Sequence, residues 1–167
     1  MTIENLTQGV ENFKNELLRI KSKREQWTNV TKPLLRDTLR SIKSKFDLDW
    51  NTYVMDGTTN SEGVNLTFGN SASGIFERTE KGIKGFSKRG GTLAFSQAYN
   101  GDIFIIIIYP SVDELVIPVE NQKLVLKVIP EKIDEGFVYE QVANFLNEMT
   151  LWESSSAYNP IGFSATR

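Results

Sequence analysis

Residues 103 to 109 read Ile-Phe-Ile-Ile-Ile-Ile-Tyr directly after Asn100-Gly101, and no other stretch restricts the fold as strongly. An Asn-Gly pair supplies the positive φ angles of a tight hairpin, so the run is predicted to be a β-strand folded back on Thr92 to Tyr99. A strand that is apolar at every position has no face to give to water. It is therefore placed mid-sheet with both faces covered.

The segment before it is helical. Leu6, Val10, Phe13, Leu17 and Ile20 recur at alternating spacings of 4 and 3, and Trp27 continues the series one heptad later with Arg24 at the intervening position. That is one apolar seam on one helix, with Thr2 as its cap. Thr31 is placed as the N-cap of a second helix with Pro33 in its first turn and Leu35, Leu39, Ile42 and Phe46 as its apolar stripe. The Asn29 to Pro33 segment permits either a helical hairpin or one kinked rod. From Trp50 the period changes to two, predicting strands near 50–55, 63–69, 74–80, 91–99, 102–109 and 123–129, with a short one near 115–117. Lysines alternating with Leu124, Leu126 and Val128 suit a sheet edge. Asp134 caps a last helix through Val138, Val142, Phe145, Met149 and Trp152.

The expectation is an α+β fold with two N-terminal helices, an antiparallel β-meander of five to seven strands and a C-terminal helix. It forms a single domain over residues 1–153, with the helical part at 1–47, the sheet at 50–129 and the last helix at 134–153. Residues 154–167 follow as a polar tail.

The chain contains neither cysteine nor histidine. That removes disulfides, Cys/His zinc sites, Ser-His-Asp and Cys-His catalysis and histidine general bases from the functions open to it. No catalytic residue, metal site or cofactor is assigned, because the carboxylate pairs Asp47/Asp49 and Asp113/Glu114 sit at element ends where acids are ordinary turn residues. The opening residues lack a basic region followed by an apolar core, and the longest apolar run is far below the roughly 20 residues that span a bilayer. The expectation is a cytoplasmic protein without a membrane segment.

Charge is unevenly distributed. Residues 1–100 hold 15 Lys/Arg against 11 Asp/Glu, and residues 101–167 hold 4 against 10. Lys32, Arg36, Arg40 and Lys43 follow helical spacing and line one stripe beside the apolar face of the second helix. Such a stripe can track the phosphates of nucleic acid, or pair with the acidic C-terminal third through Glu140 and Glu148. The segment 81–92 holds Lys84, Lys88 and Arg89 among glycines, as a flexible connection whose backbone N–H groups can turn toward a small anion. It is not a phosphate loop, since Gly91 stands where the lysine belongs and a strand follows.

Thr92, Ala94, Ser96 and Ala98 form a small-residue face suited to close approach by a packed helix. Gln97, on the opposite large apolar face, is the one polar candidate for lining a pocket. The first reading is a non-catalytic binding or assembly protein that acts through protein contacts. Its partner is another protein or its own copy, as a homodimer, because the seam of the first helix and the two-sided apolar strand together ask for more cover than three helices supply. For the seam taken alone, packing on the second helix or on the sheet is the favoured reading over a coiled coil. Nucleic-acid association and binding of a small anion at 81–92 are the alternatives.

Overall fold

Pro33 has no N–H to donate and its ring crowds the carbonyl four residues back, which ordinarily breaks a helix. In the computed structural model, which describes residues 3–57, 62–112 and 121–155, the chain accommodates it without breaking. Helix α1 (Ile3–Gln26) widens into a π turn, Trp27–Thr31, closed by the Lys32 N–H donating to the Trp27 carbonyl. It then continues as α2 (Lys32–Lys45). One extra residue in the turn gives the proline ring its room. The two N-terminal helices are thus one continuous rod. Thr31 is not a cap, because no helix begins there; its hydroxyl donates to the Pro130 carbonyl at 3.1 Å in the interior. Thr2 lies outside the described residues.

The main sheet has five antiparallel strands. In spatial order they are β1 (Trp50–Met55), β2 (Gly63–Phe68), β5 (Thr92–Gln97), β6 (Ile103–Ile108) and β8 (Gln122–Val128). The Ile-rich β6 is internal, and β8 is an edge, as its alternating lysines suggest. Between β5 and β6 the five residues 98–102 form the turn, with Gly101 at φ 81° and the Ala98 N–H donating to the Asp102 carbonyl at 2.7 Å. Register aligns Val64, Phe95 and Ile105 in one cross-strand row and Leu66, Leu93 and Ile107 in the next. Against these rows pack Leu35, Leu39 and Ile42 of α2 and Val138, Val142, Phe145 and Met149 of α3 (Glu135–Ser154). Each such side chain contributes roughly 1.5–3 kcal/mol when fully buried, so this single helix-on-sheet layer supplies most of the stabilisation. Asp134 caps α3 as expected, accepting from the Phe137 N–H at 2.8 Å.

Two expectations need correction. The first is the equal cover expected on the two faces of β6. Ile103, Ile105 and Ile107 are buried under the helices, whereas Phe104, Ile106 and Ile108 on the opposite face are half-buried. On that second face Thr92 and Ala94 of β5 are buried and Ser96 is half-buried.

The second is the single meander. β3 (Ser71–Thr79) and β4 (Gly82–Arg89) leave the main sheet and form a separate three-stranded sheet with β7 (Ser111–Val112). Most of the segment expected to be a flexible connection is therefore strand β4. β2 pairs directly with β5 across this excursion, and the Phe68 N–H donates to the Gly91 carbonyl at 2.9 Å where the chain returns. The strand expected near 115–117 and the tail beyond Ser155 lie outside the described residues.

Candidate interaction surface on the N-terminal helix

Helix α1 runs for 24 residues and buries none of them. Its seam is nevertheless apolar: Ile3, Leu6, Val10, Phe13 and Leu17 all lie on the surface, with Leu6 58% and Phe13 65% exposed. The same seam enters the protein at its C-terminal end. Ile20 is half-buried and Trp27 fully buried, its indole N–H donating to a Glu62 carboxylate oxygen at 3.0 Å. α1 is therefore an arm whose apolar stripe continues outward from the core.

The root of the arm is held by polar groups on the β5–β6 turn. Asp102, only 5% exposed, accepts from Lys23 at 2.7 Å, from Lys127 at 2.9 Å and from the Asn100 amide at 2.8 Å. Burial alone would push its carboxyl up, but these donors outweigh it and bring the pKa down to about 2. Arg24 donates to the Tyr99 carbonyl at 2.7 Å and lies 5.4 Å from the centre of the Tyr99 ring. Gly101 fits because it has no side chain; a Cβ there would meet the Lys23 Cβ at 2.6 Å. Beside this root a groove of about 520 Å³ is lined by Leu17, Ile20, Arg24 and Tyr99 among others.

The basic stripe on α2 exists, but two of its four members already answer acids of this chain. Lys32 pairs with Asp56 and, at 3.2 Å, with Glu62. Burial works against its charge, yet the hydrogen bonds to Asp56 and Glu62 prevail and hold its pKa above the ordinary lysine value. Arg36 pairs with its neighbour Asp37 at 2.8 Å. Lys43 donates to the Asn51 side-chain oxygen at 2.8 Å, and Arg40 is exposed. Glu148, a carboxylate considered as partner for the stripe, is hydrogen-bonded instead by Lys123 and Tyr109. Neither Asp56 nor Glu62 is near Lys32 in sequence, so that pairing has no sequence signal, whereas Asp37 adjoins Arg36.

The second cationic group is dispersed along β4. Lys88 is paired with Glu153 of α3 and lies 5.3 Å from the Trp152 ring centre, while Lys84 lies over the Phe86 ring at 5.1 Å. Arg89 stands opposite Ser111 in the β4–β7 register. Of the three, only Lys88 lines a cleft of about 620 Å³ between α3 and the Gly90-Gly91 return, walled by Phe68, Leu146 and Met149. Gln97 is not among the residues lining that cleft. Its side-chain amide nitrogen is buried without a hydrogen-bond partner among the described residues.

Sequence reasoning identified the seam on α1 but favoured its being covered by α2 or the sheet. A heptad pattern reports that an apolar stripe exists and carries no information about what covers it. Among the described residues no helix is long and apolar enough to cross a membrane. Comparison of the chain with family models, curated proteins and solved structures finds no match.

Proposed function

We propose that this chain is a non-catalytic cytoplasmic binding or assembly protein whose contact element is α1. One observation carries the reading: a 24-residue helix with no buried residue presents an apolar seam that runs out of the protein core. An isolated helix draws little stability from its own hydrogen bonds and is normally held by packing of its apolar face. A seam of this length left in water favours a partner that buries it. The basic stripe supports nucleic-acid binding less well, since Lys32 and Arg36 are already matched by carboxylates.

The test compares two baits in native cells, the wild-type chain and a Leu6→Glu, Phe13→Glu double variant. Both positions are exposed, so the fold should keep its unfolding midpoint. Each buried glutamate would cost an interface about 2 kcal/mol or more, so recovery of the bound protein should fall at least about tenfold. Recovery of the same proteins with both baits would overturn the assignment of α1 as the contact element.

A further inference from the structure

We infer that the occupant of the α1 seam is the α1 helix of a second copy of this chain, lying antiparallel across a two-fold axis. This rests on the reading of α1 as the contact element and adds the partner and its geometry. With Ile3, Val10 and Leu17 at a and Leu6, Phe13 and Ile20 at d, the exposed seam spans residues 3 to 20. Pairing over that span sets Ile3 against Ile20, Leu6 against Leu17 and Val10 against Phe13 of the second copy.

Three observations select this arrangement. First, the protein body sits on the seam side of α1 at its root, where Lys23 and Arg24 are tied to the β5–β6 turn and Trp27 is buried. A parallel partner would have to pass through that position. An antiparallel one ends beside it, with its first turn at the 520 Å³ groove of Leu17, Ile20 and Tyr99.

Second, charge changes sign along the helix. Residues 3–16 hold Glu4, Glu11 and Glu16 against Lys14, while residues 17–26 hold Arg19, Lys21, Lys23 and Arg24 against Glu25. Lys23 is held by Asp102, and the pairs Glu11–Lys14, Glu16–Arg19 and Lys21–Glu25 are exposed, so the difference in net charge between the two halves remains open to a partner. Antiparallel pairing lays each acidic half along a basic half, whereas parallel pairing aligns like with like.

Third, Gly9 lies inside the helix, in its second turn, and a Cβ there would meet nothing within 4 Å. A glycine inside a helix costs about 1 kcal/mol relative to alanine, and nothing among the described residues requires it. In the antiparallel register Gly9 occupies the g position beside Val10, on the side where the partner's Phe13 ring enters the seam. The missing side chain gives that ring its space; in a parallel pair Gly9 would face Lys14 instead.

The absence of cysteine gives disulfide trapping a clean background. Leu6→Cys and Leu17→Cys proteins are prepared separately, mixed and oxidised gently. The expected product is the mixed Leu6→Cys/Leu17→Cys dimer in large excess over either homodimer. Predominant homodimers would show parallel pairing and overturn the geometry. Light scattering on the cysteine-free wild type should show a dimer at tens of micromolar, and the Leu6→Glu, Phe13→Glu variant a monomer. A wild type that stays monomeric at every concentration overturns the second copy as occupant. In that event the bait comparison still reports separately whether a different protein uses α1.

Gly9→Ala supplies an independent readout, since it favours the isolated helix but obstructs the partner's Phe13. Its dissociation constant should rise roughly tenfold. An unchanged or tighter dimer would exclude the packing described.

Discussion

Gly90→Ala is expected to destabilise the protein by roughly 3 kcal/mol or more, although the position lies in a surface cleft. An alanine Cβ would stand 2.3 Å from the Phe68 carbonyl oxygen and 2.6 Å from its carbonyl carbon, so the obstruction is backbone rather than a movable side chain. Phe68 has little freedom to retreat. Its ring stacks between Trp50 and Phe145, at centroid distances of 5.9 and 5.6 Å, and its N–H is bonded to Gly91. Gly85→Ala, in the middle of β4, is the comparison, because its Cβ would meet only the Phe76 ring at 3.3 Å. That ring is 67% exposed and can swing away, so a change within about 1 kcal/mol is expected. Urea unfolding of both variants checks the pair. A Gly90→Ala midpoint equal to wild type would contradict the close approach of the two chain segments. Any loss of ligand binding in Gly90→Ala would likewise reflect a disturbed fold rather than a missing anion cradle.

Asp102→Ala should cost about 3 kcal/mol at neutral pH, because it leaves Lys23 and Lys127 facing each other without their shared carboxylate. The wild-type carboxyl titrates near 2 against 3.8 for the free side chain, a depressed value. Its contribution is therefore fully present above about pH 4 and is lost as pH falls toward 2. The difference corresponds to about 2 kcal/mol. Wild-type stability should accordingly drop between pH 4 and 2 by more than that of Asp102→Ala, so that the two converge in acid. A gap between the curves that stays constant down to pH 2 would mean that the ionised carboxylate is not what holds the root of α1. Asp102→Asn, which keeps the shape without the charge, should fall between them at pH 7.

The elements legible in the sequence are those whose local signals agree with their packing. The β5–β6 hairpin follows from Asn100-Gly101 and the apolar run, α3 from Asp134 and its periodic Val138, Val142, Phe145 and Met149. β4 was hidden because its glycines and lysines are poor strand formers. It is held by ladder hydrogen bonds to β3 and β7, with only Phe86 buried, so its composition reports exposure rather than irregularity. Pro33 signals a helix start, and a π turn defeats that signal by widening the helix instead of ending it. The candidate surface was half legible. The seam is a matter of period, but its exposure depends on where the turn at Tyr99 to Asp102 meets the helix, a contact about 75 to 79 residues away in sequence.

Within one uninterrupted helix, α1 passes from exposed turns, none of whose residues is buried, to backbone anchored by Trp27. Amide hydrogen exchange should therefore be graded along it. In the lone chain the outer turns open with little cost, as expected of a short helix without tertiary support, whereas the turns near Lys23 to Trp27 open only with the body. On the proposed pairing the outer turns close and the inner ones stay as they were. Protection of residues 7 to 17 then rises with protein concentration while that of 24 to 27 stays level, so a single helix carries both a gauge of assembly and its internal reference.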